Sequence, residues 1–132
     1  MKNILVFILD RNPVQGNILK YRLSASGIRS TILCQTPEDC LYNIGKTRIP
    51  EFIIAEASIK NMTDMEFLKL MKRTDPSVKI IFHSENDDAA HIDELLKMGA
   101  TDYIVRVEGQ QNWIQELISN LHYLIREELR IS

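Results

Sequence analysis

Six side chains sit where apolar runs of this 132-residue chain end, and together they could do chemistry that none does alone. Asp10 and Arg11 follow the run Ile4 to Leu9, Glu56 follows Phe52 to Ala55, His83 and Ser84 follow Lys79 to Phe82, and Arg106 follows Asp102 to Val105. Singly, each has a plain explanation: a strand-end aspartate is commonly a turn former, an arginine a surface charge, a serine a satisfied loop hydroxyl. If the runs are parallel strands of one sheet, their carboxyl ends line a single crevice, which is where open α/β sheets hold ligands. Two acids, two guanidinium groups and a hydroxyl would then face one another. Carboxylates hold hard cations, and planar guanidinium forks hold carboxylate or phosphoryl oxygens. His83 borders the same edge and, with an unperturbed pKa of about 6.5, is a candidate to tune the crevice's charge near neutral pH. Its plainer reading is structural, like that of His91 and His122 on helical segments.

The elements that must position these residues are written in the pattern. The four runs above and a fifth, Thr31 to Cys34, alternate with segments of helical period, which reads as five strands each followed by a helix. Thr36-Pro37-Glu38-Asp39 offers a capping hydroxyl and a proline suited to the first helical position, and Thr63-Asp64-Met65-Glu66 is a capping box. Near-continuous apolar strands call for burial on both faces, so the expected class is a doubly wound α/β fold with a mainly parallel sheet. Strand order is not contained in such a pattern. The last helical segment, roughly Gln110 to Arg130, spaces Trp113, Ile114, Leu117, Ile118, Leu121, Leu124, Ile125 and Leu129 three and four apart. That broad stripe reads either as a helix packed on the sheet or as one that also offers a self-association surface, giving a homodimer through the last helix.

Composition narrows the function classes. With 45% apolar residues and a net charge of −2 from 16 basic and 18 acidic residues, the expectation is one domain spanning 1–132, with no output domain and no nucleic-acid stripe. Ile4 to Leu9 is shorter than a signal-peptide core and far short of a membrane span, so a cytoplasmic protein without a membrane partner is expected. Cys34 and Cys40 are too few and wrongly spaced for a zinc motif and read as buried free thiols. With no glycine-rich phosphate loop, no serine-histidine-aspartate order and no metal-ligand cluster, an enzyme is not expected.

From about Lys2 to the final helix the chain resembles the receiver domains of bacterial response regulators. Asp10-Arg11-Asn12-Pro13 matches the family's strand-one signature in its first acid and its proline, with Arg11 in place of the second acid. Pro50-Glu51-Phe52-Ile53-Ile54-Ala55-Glu56 corresponds to the third strand, with Glu56 at the phosphoacceptor aspartate. Ser84, closing Ile80-Ile81-Phe82-His83-Ser84, matches the switch hydroxyl. Gly99-Ala100-Thr101-Asp102-Tyr103-Ile104-Val105-Arg106-Val107 resembles the fifth-strand run, with Arg106 for its lysine and Val107 for its proline.

The resemblance implies a flavodoxin-like sheet of five strands flanked by five helices, and a place in phosphorelay signalling with a histidine kinase or a downstream effector as partner. It also implies Mg²⁺ chemistry, for which Asp10 and Glu56 are the only matching carboxylates. Arg11 near the metal position opposes a cation about 4 Å away on a scale of about 4 kcal/mol, unless its long stem swings the charge to solvent, so Mg²⁺ binding is expected to be weak. Glu56 is expected to pair with Arg106, Arg11 or both, as a partial mimic of a phosphorylated residue, or else to be a tolerated strand-end acid. Ser84 and Tyr103 would carry the family's two-state change. The alternative is an interaction or dimerisation module on the same fold, indifferent to phosphorylation.

Overall fold

The computed structural model describes residues 3–58 and 62–131; Lys2, where the resemblance begins, lies outside them. Ten elements alternate strictly: β1 (Val6–Leu9), α1 (Pro13–Ala25), β2 (Thr31–Cys34), α2 (Pro37–Lys46), β3 (Phe52–Glu56), α3 (Asp64–Thr74), β4 (Lys79–Ser84), α4 (Ala89–Lys97), β5 (Asp102–Val105) and α5 (Asn112–Ile131). The strands form one parallel sheet in the order β2-β1-β3-β4-β5. The chain winds outward from β1 in one direction and from β3 in the other, so the switch point lies between Asp10 and Glu56.

The helix starts follow the sequence chemistry. Thr36 caps α2 through Asp39, with Pro37 at the first turn, and Thr63 and Glu66 form a reciprocal capping box at α3. Asn12 caps α1 by accepting from the N–H groups of Val14 and Gln15. Helices α1 and α5 cover one face of the sheet over Val6, Ile8, Ile54, Ile81 and Ile104. On the other face α2, α3 and α4 cover Phe7, Ile53, Ile80, Phe82 and Tyr103. The stripe of α5 is consumed in this packing: Trp113, Ile114, Leu117, Ile118 and Leu121 are buried, while Tyr123 and Leu129 are exposed. Cys34 and Cys40 are free and buried.

Three strand boundaries differ from the sequence reading. β1 starts at Val6 rather than Ile4, while β3 extends to Glu56 and β4 to Ser84. The extensions arise because the ladder pairs Glu56 with His83 and Ser84 with Val105, so polar residues read as loop are held by sheet hydrogen bonds. Among the described residues no helix is long and apolar enough to cross a membrane. Because the Thr63 hydroxyl satisfies the Glu66 N–H at 3.1 Å, Thr63→Ala should lower unfolding free energy by about 1 kcal/mol with the denaturant slope unchanged, measured by urea unfolding.

Candidate functional site

The crevice is built from the β1–α1 turn. Asp10 follows β1 and is 2% exposed. Its Oδ1 accepts the Asn12 N–H at 2.9 Å, and Asn12 in turn caps α1, so one short turn fixes both the acid and the helix start. Oδ2 of Asp10 is buried without a protein partner. Next to it, Glu56 Oε1 accepts from Arg11 Nε at 3.2 Å and from the Arg11 backbone N–H at 3.4 Å. The two side chains differ sharply in exposure, 56% for Arg11 and 12% for Glu56. Arg11 is thus a largely exposed side chain whose Nε nonetheless turns to the crevice and meets Glu56.

Of the two partners expected for Glu56, Arg106 is the one turned elsewhere. Its guanidinium carbon lies 5.8 Å from the Trp113 ring centroid, and its Nε is buried without a hydrogen-bond partner. No ion pair joins it to Glu56 among the described residues; Glu56 is held by Arg11. Beneath the indole, the His83 ring stacks at 4.8 Å and 23°, fully buried and with neither nitrogen hydrogen-bonded to protein. The result is a stack of guanidinium, indole and imidazole between β4, β5 and the first turn of α5.

Strand alternation divides the candidate residues between two faces. Asp10, Glu56, His83 and Arg106 follow Ile8, Ile54, Ile81 and Ile104 by two positions and share the side of α1 and α5. Ser84 and Tyr103 share the other side, where Tyr103 donates its hydroxyl to the Asn86 carbonyl at 2.9 Å and Ser84 Oγ accepts the Asn86 N–H at 3.0 Å. Tyr103 is therefore in an inward, buried position, and burial raises its phenol above the ordinary range. Two residues on this side were read only as a capping-box member and a helical histidine. Asp64, 7% exposed, accepts from the Ser58 N–H at 2.6 Å and contacts His91 Nε2 at 2.9 Å, and His91 meets the Tyr103 ring edge-on. The available signal was spacing: His91 lies four residues before Leu95, the buried residue of α4. Ser58 itself holds a positive φ of 64°, a conformation that strains a non-glycine residue.

The donor set does not suit a divalent cation. No group of three or more His, Cys, Asp or Glu residues among those described is arranged to hold one. Of the two matching carboxylates, Asp10 is buried and Glu56 is engaged by a guanidinium.

Burial, the largest cause, pushes the Asp10 carboxyl up to about 6; the Glu56 charge adds to the rise, while the Asn12 N–H, Arg106 and Arg11 oppose it. The same physics drives His83 down to about 3, through burial first and the Arg106 charge second. Burial thus favours the neutral ring at physiological pH, which goes with the plainer structural reading of His83 and against its role in tuning the crevice's charge.

A family model described as the response regulator receiver domain matches residues 6–118. No curated protein sequence matches the chain. Among solved structures, the CheY-like response regulator receiver domain protein from Methanospirillum hungatei JF-1 aligns with a TM-score of 0.82 at 16% identity, covering 99% of this chain and 100% of that one. The receiver domain of a Francisella response regulator aligns at 0.80 and 21% identity, covering 96% and 99%. HP1043, an orphan response regulator of H. pylori, aligns at 0.74 and 20% identity, covering 91% and 94%.

The two shifts have opposite consequences for stability. Folded Asp10 keeps a proton that the unfolded chain releases between about pH 4 and 6, so its contribution falls as pH rises through that window. Folded His83 refuses a proton that the unfolded chain accepts below about 6.5, so its contribution is lost as pH falls toward 3. Asp10→Asn, which keeps the acceptor for Asn12, should leave stability near the wild-type value at pH 4 and raise it by on the order of 2 kcal/mol at pH 7, read by urea unfolding at stepped pH.

Proposed function

The chain belongs to the response regulator receiver domain family, and on that premise we propose that it is an atypical receiver in phosphorelay signalling whose crevice is set by its own charges. Glu56 stands at the phosphoacceptor position, Arg11 takes the place of the metal, and the output passes through protein contacts with a histidine kinase or a downstream effector. The observation that carries this reading is the Arg11 Nε to Glu56 Oε1 contact of 3.2 Å at the switch point of the sheet.

A phosphoryl group brings a charge of roughly −1.5 to −2 and three acceptor oxygens, whereas glutamate brings one charge and two oxygens. Glu56 therefore supplies part of the charge that biases the family's two-state change. Asp10 and Glu56 remain the residues that would touch Mg²⁺, with weak binding because Arg11 contributes a like charge. Ser84, Tyr103 and Arg106 occupy the positions that would respond. The protein performs no reaction of its own in this reading.

A second reading, an interaction module indifferent to phosphorylation, is favoured by one specific contact. Arg106, at the family's lysine position, is engaged with Trp113 rather than with Glu56, which weakens the link from crevice to β5. Self-association through α5 has fewer apolar side chains to offer than its sequence stripe suggested, since most of that stripe is buried.

Incubation with Mg²⁺ and a small acyl phosphate, followed by intact-protein mass, separates these ideas from an ordinary receiver. Wild type should gain no phosphoryl adduct, and Glu56→Asp/Arg11→Asp should gain one. A stable adduct on wild type would overturn the proposal.

A further inference from the structure

Helix α1 is apolar on both sides. Leu19 and Leu23 are buried against the sheet, while Val14, Ile18 and Tyr21, spaced four and three apart, are 66%, 40% and 70% exposed. With Asn17 and Arg22 these three line an open depression of about 410 Å³. The helix that carries the stripe is one-signed: it holds Lys20 and Arg22 and no acid.

On the opposite side of the sheet, α4 buries Leu95, packs Ile92 partly against the core and turns Ala89, Ala90 and Leu96 outward. Ala89, Ala90, Ile92 and Leu96, with Asp87 and Asp93, line an open groove of about 630 Å³. This stretch has the opposite sign, since residues 85–96 contain five acids and neither lysine nor arginine. Lys97 pairs with Asp93 at 2.9 Å, but the two side chains are 75% and 62% exposed, so water screens that pair and it yields readily.

One stripe is bulky and basic, with Tyr21 as a prominent aromatic. The other is floored by alanines and acidic. Both run about two helical turns, which suits ridge-into-groove packing of one helix on the other. They lie on opposite faces of the sheet, so they cannot cover each other within one chain, and one chain offers both at once.

We infer that these two surfaces bind each other between copies of the chain, α1 of one docking on α4 of the next, with Tyr21 as the anchor over Ala89 and Ala90. Such an interface is heterologous: it leaves a free α1 at one end and a free α4 at the other, so it grows into rings or open chains rather than stopping at a symmetric dimer. Aromatic anchors dominate small interfaces of this kind. Stripes of two turns belong to the smallest interface class, below about 1,200 Å², so association is weak and falls as salt screens the opposed charges. The inference stands on the two helices and does not depend on the chemistry of the crevice.

Sedimentation equilibrium of the full chain at low salt, from about 10 μM to 1 mM, tests it over the range where weak interfaces form. The weight-average mass should rise with concentration, pass the dimer value and fall back in high salt. Tyr21→Glu and Leu96→Arg should each remain monomeric alone, and an equimolar mixture should give a species of two chains and nothing larger, because one intact α4 meets one intact α1. Ile18→Glu and Ala90→Arg form a second pair should either first variant lose its cooperative thermal transition. A wild type that stays monomeric throughout would contradict the inference, as would association that stops at a dimer, variants that associate like wild type, or folded variants that fail to join on mixing.

Discussion

Burying a carboxylate at the carboxyl end of a parallel sheet sets the terms for everything around it. Asp10 lies at the switch point, 2% exposed, with one oxygen held by the Asn12 N–H and the other without a protein partner. A charge in that position is costly unless it is compensated or neutralised. A metal-binding crevice compensates with a cation. Here the neighbouring position is Arg11, whose guanidinium binds Glu56, and the proton affinity of Asp10 rises until neutralisation becomes part of the answer. The same turn that holds Asp10 caps α1, so the electrostatics of the crevice and the start of a helix are one local structure.

The second cation obeys a different constraint. Arg106 sits at the edge of β5 where indole and imidazole rings form a stack, and the neutrality of His83 follows from its depth in that stack and from the Arg106 charge above it. A charged His83 would place two like charges against one aromatic ring in a dry environment. Arg106 lies against Trp113 rather than in an ion pair with Glu56, yet its charge still reaches the crevice, where it opposes the rise at Asp10. Tyr103 and Ser84, turned to the other face, are tied to Asn86 and, through His91 and Asp64, to the start of α3.

Much of this was legible in the chain before any coordinates. Period, caps and apolar runs placed all five strands and five helices, because each is a local property: Thr36 and Thr63 cap where a hydroxyl precedes a helix. The gathering of Asp10, Arg11 and Glu56 was also legible, since parallel strands bring their ends together. The partner of each long side chain was not. Arg106 and Arg11 are both within reach of Glu56 on paper, and the choice between them depends on where α5 places Trp113. The burial of His83 was hidden for a related reason: β4 extends two residues further than its apolar run, and ladder pairing with Glu56 carries the ring under α5. Asp64 looked complete as a first-turn acid, so its contacts to Ser58 and His91 had no signature beyond the spacing of His91 and Leu95.

The fold is held in common with receiver domains that share 15–21% of its sequence, yet shared folds do not fix chemistry. In the proposed function, the chain departs from that family by carrying Arg11 where a cation-binding carboxylate is expected. The most direct measurement is a Mg²⁺ titration at constant ionic strength, followed by the fluorescence of Trp113, the sole tryptophan, which contacts Arg106 at the crevice edge. If Arg11 and Glu56 have replaced the metal, wild type gives no saturable response through the millimolar range, and Arg11→Asp acquires one. A saturable wild-type response at low millimolar Mg²⁺, unaltered by Arg11→Asp, would contradict that claim.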